Sequence, residues 1–528
     1  MPYDHRPFPY VTPPGLTAPE LRHRVVIVGA GPIGLALAID LAQYGVASVV
    51  LDDNNVVSVG SRAICWSKRS LEILDRLGVG QKCVDKGVIW KVGRTLHRDA
   101  EIWNFDLQPE PGYKRPAFVN LQQYYVEDYL VTRAMEFRDL IDLRWKNRVT
   151  DLIQTDHVAL TVETPDGSYA LEADYLVACD GARSDIRTMM GLDFDGELFE
   201  ERFLIADIEM QGDFPSERRF WFEPNFHPGQ SALLHKQPDN IYRIDLQLGW
   251  DADPEVEKTP ERVIPRIEKA VGHRDFRLDW VSVYTFQCRR LAQFVQGRVI
   301  FCGDSAHIVS PFGARGGNGG LQDVDALGWR LASVAQGADP TRLIAYDRER
   351  QHGADENLLN SSRTTRFMSP AAGAERLFRD AVLHLAARAP FARPLVNSGR
   401  LSRACTYPLD APDDPALPQG SRPGSVAPDA PLPQGWLIDQ LGHTPVLLAI
   451  GQPAPDVAGL RTLSLALTPE VQTRYLGPAP SLGPASSLGP ASSALYLIRP
   501  DQIIAARWQT ATAAQIAGAL TAIWQDRP

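Results

Sequence analysis

Apolar and polar positions follow clear periods near the start of the chain. The run HRVVIVGAG, from position 23, is apolar at consecutive positions and rich in β-branched residues, which predicts a buried strand followed by a glycine turn. The next stretch, IGLALAIDLAQYG, has helical periodicity, and ASVVLDD is typical of a second short strand. Together they predict a strand–helix–strand unit, the building block of parallel sheets.

The periodicity changes further along the chain. Residues 195–285 alternate apolar and polar positions over short runs such as RFLIADIEM, SALLHKQ and YRIDLQLGW, which predicts a mostly antiparallel sheet. After it, GRVIFCGD and GLQDVDALGWRLASVAQG return to the strand–turn–helix pattern. We therefore predict a mixed α/β (α+β) protein, in which residues 21–194 and 286–405 form a Rossmann-like domain and the sheet at 195–285 is inserted into it.

The two ends of the chain differ from these domains. Residues 1–20 are rich in proline and lack apolar periodicity, so we expect an extended arm with nothing to pack. Residues 406–436 hold eight prolines and three glycines among 31 positions, which predicts a linker along the surface that few contacts cross. Residues 437–528 contain strand-like runs and a closing helix, ATAAQIAGALTAIW. Within them, the repeat LGPAPS-LGPASS-LGPASS at 476–493 predicts a flexible loop.

Composition and charge narrow the functional classes. The 528 residues carry 54 basic and 64 acidic side chains, a net charge of −10, and no basic run, which argues against a nucleic-acid partner. The six cysteines form no C-x-x-C pair and no cluster with histidine, so we predict neither a metal site nor a disulfide framework. Neither a signal peptide nor a membrane-spanning stretch is visible. We therefore expect a cytoplasmic protein without membrane attachment.

The glycine turn after the first strand carries the first chemical motif. Gly29, Gly31 and Gly34 have the spacing G-x-G-x-x-G between a predicted strand and a predicted helix. In this pattern the first glycine allows a tight turn, the second lets the backbone approach a pyrophosphate, and the third lets helix and strand pack closely. Asp52 ends the second strand, where a carboxylate accepts hydrogen bonds from ribose hydroxyls, and Asp53 is the alternative acid. These positions predict a dinucleotide site.

A second charged turn follows another predicted strand. The segment DYLVACDGARSDIR places Asp180 and Gly181 at the end of a strand, with Arg183, Ser184 and Arg187 directly after them. Taken alone, this pattern is equally typical of an ordinary turn before an exposed helix. The segment therefore gains meaning only in combination with the other motifs.

The third motif is GRVIFCGDSAHIVSPFGARGGNGGLQD. It places Asp304 at the carboxyl end of a buried strand, where open α/β sheets bind ligands. A glycine-rich turn then precedes a helix whose positive end favours negative charge. Ser305 and His307 do not form the nucleophile elbow of a hydrolase, because the pentapeptide around the serine lacks the closing glycine.

These three motifs, in this order, resemble the single-component FAD-dependent aromatic hydroxylases (group A flavoprotein monooxygenases), the family of para-hydroxybenzoate hydroxylase. The relatives that act on 3-(3-hydroxyphenyl)propionate, pentachlorophenol and polyketide phenols are more similar, because they too carry a C-terminal extension. The resemblance covers residues 22–400 and, more weakly, the tail. It implies an FAD-binding domain, a substrate-binding sheet domain and a C-terminal thioredoxin-like domain at 437–528, which lacks a C-x-x-C pair for redox chemistry.

The resemblance also implies which residues hold the cofactor. Arg62 and Gln123 match positions that contact FAD, Val149 lies where a backbone contact to adenine is usual, and Asp304 matches the acid at the ribityl chain. The segment after Asp180 is associated with both FAD and the nicotinamide donor. FAD is expected to bind without a covalent link, since no histidine or cysteine attachment signature is visible. The predicted cofactor-binding residues are Gly29, Gly31, Gly34, Asp52, Arg62, Gln123, Val149, Asp180, Gly181, Arg183, Asp304, Gly316, Gly317 and Asn318.

For the activity, the resemblance implies a monooxygenase that uses NADH or NADPH and dioxygen to place one oxygen atom on a phenolic substrate through a flavin hydroperoxide. Arg315, in the glycine-rich turn, is expected to stabilise negative charge on the reduced flavin. On the inserted sheet we predict an aromatic wall and polar handles for the substrate. These positions are Phe220, Trp221, Phe222, His235, Arg243 and Tyr284.

Two alternatives stay open. Aromatic residues that alternate on a strand are usually core residues, and Arg243 would then simply pair with a surface carboxylate. The motifs also predict flavin binding rather than turnover, so a flavoprotein without oxygenase activity, either a reductase or a regulatory protein, is the alternative function. A homodimer is the expected assembly.

Overall fold

The computed structural model describes residues 3–212, 214–249, 251–396, 401, 403–477 and 491–524. They form two eight-stranded sheets, one four-stranded sheet and two smaller ones. Among the helices of these residues, none is both long and apolar enough to cross a membrane.

The helices are α1 (Pro32–Gln43), α2 (Lys68–Arg76), α3 (Gly80–Lys86), α4 (Gln123–Met135), α5 (Asp185–Met189), α6 (Pro254–Glu257), α7 (Pro260–Val271), α8 (Gly316–Ala335), α9 (Arg342–Met368), α10 (Ala374–Ala386), α11 (Arg393–Val396), α12 (Pro469–Val471) and α13 (Ala513–Trp524). The strands are β1 (His23–Val28), β2 (Ser48–Asp52), β3 (Cys65–Ser67), β4 (Val88–Trp90), β5 (Val92–His97), β6 (Ala100–Asp106), β7 (Phe118–Asn120), β8 (Ile141–Trp145), β9 (Arg148–Gln154), β10 (Val158–Thr164), β11 (Gly167–Ala178), β12 (Asp195–Glu209), β13 (Arg218–Phe222), β14 (Ser231–Lys236), β15 (Ile241–Gln247), β16 (Arg277–Arg290), β17 (Val295–Gln296), β18 (Val299–Phe301), β19 (His307–Ile308), β20 (Pro431–Leu432), β21 (Gly435–Trp436), β22 (Val446–Ile450), β23 (Arg461–Leu465), β24 (Ala494–Ile498) and β25 (Ile504–Trp508).

The first sheet has the strand order β17-β18-β11-β1-β2-β8, with β10 and β9 joined to β11. Strands β18, β11, β1, β2 and β8 run parallel to one another. Val25, Val26 and Ile27 of β1 are consecutive and fully buried, as expected of a strand covered on both faces. Helix α1, buried from Gly34 to Ala42, packs against β1, β2 and α8. The predicted strand–helix–strand unit is confirmed and lies at the centre of the sheet.

The second sheet has the order β19-β16-β12-β15-β14-β13-β5-β6. It contains the predicted antiparallel strands at 195–285, but it also takes in β5 and β6, which the sequence assigns to the first domain. Strand β5 runs parallel to β13, with Gly93 opposite Arg218. A pairing between strands so far apart in the chain leaves no local signal, because each strand alone has only its own alternation. The predicted boundary therefore needs correction.

The two faces of the second sheet have different neighbours. Val263 and Ile267 of α7 cover one face, which we call the outer face. The opposite, inner face turns towards the first sheet. There the ring of Phe203 meets the ring of Phe312, in the loop before α8, with 5.0 Å between centroids. The inner face therefore borders the glycine-rich turn at the start of α8.

The C-terminal residues form a four-stranded sheet of order β23-β22-β24-β25. Strands β22 and β23 are parallel, whereas β24 is antiparallel to both β22 and β25, which is a thioredoxin-like strand order. Residues 451–460, all of them described, connect β22 to β23 as a loop. Most of the predicted flexible repeat, residues 478–490, lies outside the described residues.

The proline-rich segment 406–436 is packed against this sheet. Tyr407 and Leu417 are buried, and the amide of Gly424 donates to the carbonyl of Ile504 at 2.8 Å. The prediction of a surface linker that few contacts cross is therefore wrong. Proline prevents regular structure, but it does not prevent the residues between the prolines from bonding to a neighbouring sheet.

The described part of the N-terminal arm is extended except for a 3-10 turn at Pro14–Leu16, and it is not free of packing. The ring of Phe8 stacks on Trp145 at 4.7 Å with an angle of 10° between the planes. The amide of Phe8 also donates to the carbonyl of Asn55 at 2.7 Å. Single aromatic residues can bury themselves without any periodicity, so the sequence pattern did not reveal these contacts.

Candidate active site

The glycine turn between β1 and α1 borders an open space. Gly29 has a φ of +106°, and a Cβ there would lie 2.4 Å from the carbonyl oxygen of Cys179. A Cβ at Gly34 would lie 1.9 Å from the carbonyl oxygen of Gly29. Both positions therefore require glycine, whereas a Cβ at Gly31 would meet no protein atom within 4 Å. Gly31 caps α1, whose first amides have no partners within the helix, so hydrogen-bond donors stand beside this space.

Asp52 belongs to the same turn. Its Oδ2 accepts from the amide of Ala30 at 2.6 Å, and its Oδ1 accepts from the amide of Asn54 at 2.8 Å. Burial raises the pKa of Asp52 to about 6, and these two hydrogen bonds partly offset the rise. The neighbouring Asp53 is exposed. Asp52 rather than Asp53 is therefore the acid at the edge of the open space.

Two further turns meet this one, because β11 and β18 lie next to β1 in the parallel sheet. Asp180, after β11, has a buried Oδ1 without a hydrogen-bond partner among the described residues. A Cβ at the adjacent Gly181 would meet nothing within 4 Å. Asp304, after β18, is exposed, yet burial raises the pKa of its carboxyl while His307 and Arg62 oppose the rise. The carboxyl of Asp304 is therefore accessible to solvent although protein surrounds it.

Asp323 of α8 holds the third turn, and the sequence did not point to it. It is fully buried and accepts from the amide of Gly303 at 2.9 Å, from Nε2 of His307 at 2.7 Å and from Nε of Arg350 at 2.6 Å. His307 therefore supports the Asp304 turn and does not serve Ser305, in agreement with the sequence. The helix also carries Asp325 and Arg330, so no signal in the sequence singled out Asp323.

The start of α8 supplies backbone rather than side chains. A Cβ at Gly316 would meet only Val309, at 3.9 Å. Gly317 lies against Ala63, with 3.3 Å between their Cβ positions. Asn318 uses its whole amide to hold this helix end. Its Oδ1 accepts from the Ser67 amide and the Ser70 hydroxyl, and its Nδ2 donates to the carbonyls of Cys65 and Ala314.

Arg315 is a buried anchor of the glycine-rich turn. Its Nη1 donates to Oδ1 of Asn357 at 3.0 Å, and its Nη2 donates to the carbonyl of Leu401 at 3.4 Å. These contacts tie the turn to α9. The guanidinium is therefore buried beside the start of α8, and its stabilisation of charge on the reduced flavin stays a prediction.

The other predicted cofactor residues fall into two groups. Arg62 and Arg183 are exposed, and Arg62 is close enough to influence Asp304. Gln123 accepts from the amide of Ala63 at 3.1 Å and donates to Glu127 at 2.8 Å, so its side chain positions the segment beside Arg62. Val149 is a buried residue of β9 opposite Val162 and offers only its backbone.

The second sheet presents a polar and aromatic inner face to these turns. The strand register places His235 opposite Arg243, and Arg243 opposite Asp207, so the three side chains share one face. Tyr284 lies on the same face, because it is opposite Phe203. By alternation, the inner face includes Phe203, Asp207, Arg218, Phe220, Phe222, His235, Arg243, Asp245 and Tyr284.

Trp221 does not belong to this wall. Neighbouring residues of a strand point to opposite faces, so Phe222 lies on the inner face and Trp221 on the outer one. There the ring of Trp221 lies 5.7 Å from that of Phe226. The prediction of an aromatic wall from Phe220 to Phe222 is therefore wrong for Trp221, while Phe220 and Phe222 lie on the inner face.

Arg243 forms a buried ion pair. Its Nε and Nη2 donate to the two oxygens of Asp207 at 2.8 and 2.7 Å, and Nη2 also donates to the carbonyl of Ser61 at 2.5 Å. The partner is therefore a buried carboxylate on the same sheet rather than a surface one. These bonds join the inner face to the segment that carries Arg62.

His235 is buried and neutral. Burial lowers its pKa well below the ordinary value, and the positive charges of Arg218 and Arg243 lower it further. Its Nδ1 lies 3.9 Å from Sγ of Cys65, whose thiol is also neutral because burial raises its pKa to about 11. His235 and Cys65 therefore add no charge to the inner face at neutral pH.

Comparison with known proteins decides the family. The pattern of the family described as FAD binding domain matches residues 22–361. The chain belongs to the FAD-binding monooxygenase family. A flavin-dependent monooxygenase of Mycobacteroides abscessus is 30% identical over 467 residues, which cover 84% of this chain and 92% of the relative.

Two further members of the family extend the comparison. A 3-(3-hydroxy-phenyl)propionate/3-hydroxycinnamic acid hydroxylase of Mycolicibacterium smegmatis is 28% identical over 406 residues, 75% of this chain and 71% of the relative. The solved structure of an anhydrotetracycline hydroxylase from Streptomyces rimosus is 26% identical, with a TM-score of 0.70 over 96% of this chain and 99% of that one. The family resemblance predicted from the three motifs is confirmed.

The residues present fit FAD. The open space at Gly31 and the amides of α1 suit a pyrophosphate, and the unpartnered Oδ1 of Asp180 is an acceptor that needs a donor. Asp52 would hold the ribose, and Asp304 the ribityl chain. The start of α8 would face the flavin ring and would place it against the inner face of the second sheet.

Proposed function

We propose that this protein is an FAD-dependent hydroxylase that takes electrons from NADH or NADPH and inserts one atom of dioxygen into a phenolic substrate. The observation that carries the proposal is the junction of two sites. The three turns that suit FAD end beside the inner face of the second sheet, which offers aromatic rings and polar groups at the same place. A protein that only binds flavin, or that only uses it to reduce another molecule, does not need an aromatic wall beside the flavin site.

Bound FAD supplies the electron transfer and the activation of dioxygen. The chain's own residues bind FAD and the substrate, orient them towards each other and shield them from water. Phe203, Phe220 and Phe222 belong to an apolar cluster of the inner face that also holds Phe312, and this cluster keeps water from the ring that is to be hydroxylated. The buried pair of Arg243 and Asp207 fixes this wall against the cofactor segment, so the two reacting partners are held in one orientation.

The substrate class rests on the relatives and on the inner face. The hydroxylase of Mycolicibacterium smegmatis is named for a hydroxyphenyl acid, a phenol with a carboxylate. The inner face likewise combines rings with the cations Arg218 and Arg243. The nicotinamide donor, the phenolic substrate and a cytoplasmic location are all parts of this proposal.

Stimulated oxidation of NAD(P)H tests the proposal. Purified holoenzyme is mixed with NADH or NADPH in air, with and without each member of a panel of phenols and aryl acids, and products are identified by mass. We expect slow oxidation alone, acceleration by the correct phenol, and a product heavier by one oxygen atom. A yellow protein that no aromatic compound stimulates would support the alternative of a flavoprotein without oxygenase activity.

A further inference from the structure

Arg218 and Asp245 face one region of the inner face. Arg218 begins β13 and Asp245 lies on β15, with β14 between them. Asp245 is opposite Leu233 of β14 and Ile205 of β12, and Leu233 is opposite Phe220. Each of the two charged groups influences the pKa of the other. A cation and an anion therefore share the aromatic wall, although neither was among the residues predicted from the sequence.

Both residues carry a buried polar atom that the described protein does not satisfy. Nη1 of Arg218 and Oδ1 of Asp245 are buried without a hydrogen-bond partner among the described residues. Their neighbours Arg243 and Asp207 differ, because they bond to each other through two hydrogen bonds. Buried polar groups are normally paired, so one unpaired donor and one unpaired acceptor on the same wall require an explanation.

The surrounding groups do not supply the missing partners. The Sγ of Cys65 lies 3.2 Å from Oδ1 of Asn120 and 3.9 Å from Nδ1 of His235, and neither Cys65 nor His235 bonds to Nη1 of Arg218 or Oδ1 of Asp245. The partner would therefore come from outside the protein. It would need an oxygen that accepts from Arg218, a proton that it gives to Asp245, and an aromatic surface beside Phe220.

We propose that Arg218 and Asp245 together bind the hydroxyl group of a phenolic substrate, with Arg218 donating to its oxygen and Asp245 accepting its proton. The inference rests on the proposed function. When the proton moves, the O–H bond breaks, a new O–H bond forms on Oδ1, and the electron pair stays on the phenolate oxygen beside Arg218. The ring becomes more electron-rich, as hydroxylation requires, and no further reactant is needed.

The charges of the region suit this role. Burial raises the pKa of Asp245 to about 6, while Arg243 and Arg218 lower it, so the carboxyl is ionised at neutral pH. A simple phenol has a pKa of about 10, the value of tyrosine. Proton transfer to Asp245 is then unfavourable by itself, and the positive charge of Arg218 at the phenolate oxygen makes up part of the difference.

Binding of matched phenols and methyl ethers tests the inference without turnover. Oxidised holoenzyme is titrated, with no NAD(P)H, with phenol and anisole, 4-nitrophenol and 4-nitroanisole, and 3-(3-hydroxyphenyl)propionate and its methyl ether. Flavin absorbance reports binding. We expect the phenol of at least one pair to bind about tenfold or more tighter than its ether, since a hydrogen bond to a charged group is lost in the ether. Asp245→Leu, which leaves no acceptor for the phenolic proton, should abolish this preference, whereas Arg218→Met should weaken the binding of phenol and ether alike, since both oxygens accept from Arg218.

Arg219→Met is the matched control. Arg219 is the next residue on β13 but points to the outer face, where it donates to Glu217 at 2.8 Å, so the preference should stay. Thermal unfolding separates recognition from structure. Removing a buried polar atom that has no hydrogen-bond partner in the protein should leave the unfolding temperature nearly unchanged, whereas a structural role would lower it clearly.

Each outcome decides between the two proposals. A wild type that binds no phenol, or shows no preference in any pair, contradicts the inference, as does a preference that survives in Asp245→Leu or an unchanged phenol affinity in Arg218→Met. If an aromatic compound still stimulates NAD(P)H oxidation in that protein, the proposed function stands and only the assignment of Arg218 and Asp245 falls. If no aromatic compound does so, both proposals fall together.

Discussion

Arg499, in the turn after β24, and Glu349 of α9 form a two-pronged ion pair with N–O distances of 2.6 and 2.9 Å. Both side chains are almost fully buried. Arg69 of α2 adds a second link, because it donates to the carbonyl of Asp501 at 2.8 Å. Buried charges need partners, so the C-terminal sheet completes the core of the FAD-binding part rather than hanging from a linker.

Replacing Arg499 should therefore be costly. We expect Arg499→Met to lower the free energy of unfolding by about 3 kcal/mol, because Glu349 would stay buried with one partner fewer. Arg277→Met is the matched control, since its ion pair with Glu209 is largely exposed and should contribute about 0.5 kcal/mol or less. Chemical denaturation measures both. Equal stability of the two variants would contradict the structural role of the C-terminal contact.

The glycine turn makes a prediction about FAD. Gly31→Val should fold normally and lose FAD, because its Cβ would meet no protein atom within 4 Å and the side chain would occupy the space for the pyrophosphate. Gly34→Val should fail to fold, since its Cβ would lie 1.9 Å from a backbone oxygen. Circular dichroism and the absorbance spectrum after gel filtration read out both. A folded, yellow Gly31→Val protein would show that the pyrophosphate lies elsewhere.

Asp323 should affect both stability and FAD binding, although it is fully buried. Asp323→Asn removes the carboxylate charge to which Arg350 and His307 both bond. We expect the free energy of unfolding to fall by about 3 kcal/mol. FAD should also bind more weakly, because the turn that carries Asp304 loses its support. Asp355→Asn, which breaks an exposed ion pair with Arg290, is the control. Denaturation and FAD titration test this, and unchanged FAD affinity would separate Asp323 from the cofactor site.

The acidic limb of the pH profile should report Asp245. Because its pKa is raised to about 6, the carboxyl accepts a proton above about pH 6 and loses this ability as the pH falls below it. Burial lowers the pKa of His235 well below its ordinary value and raises that of Cys65 to about 11. Neither group therefore titrates near pH 6. We expect kcat/KM for the phenol to fall below about pH 6, and Asp245→Asn to remove this limb. The same limb in both proteins would assign it to another group.

The features that the sequence predicted are local ones. Gly29, Gly31 and Gly34 could be found because the turn, the approach of a phosphate and the helix contact each restrict one position. Asp180 and Asp304 could be placed together because parallel strands end at one edge of a sheet. Such rules connect a few consecutive residues to one shape, so they need no knowledge of distant contacts.

The features that the sequence missed depend on distant partners. Strand β5 joins the second sheet through β13, and Asp323 meets Gly303 and Arg350 only in the folded chain. Arg218 and Asp245 became recognisable through what they lack, namely partners for buried atoms, which no periodicity encodes. Trp221 differs, because a local rule is enough to place it. It is next to Phe222 on β13, and neighbouring residues of a strand point to opposite faces, so only one of the two belongs to the inner face.

Labelled dioxygen tests the central claim most directly. Holoenzyme, NAD(P)H and the phenol that stimulates oxidation are combined under ¹⁸O₂ in ordinary water, and the product is analysed by mass spectrometry. The account predicts a product that carries one labelled oxygen atom for each turnover that forms it. A hydroxylated product whose new oxygen comes from water would contradict the assignment as a monooxygenase, whatever the flavin content of the protein.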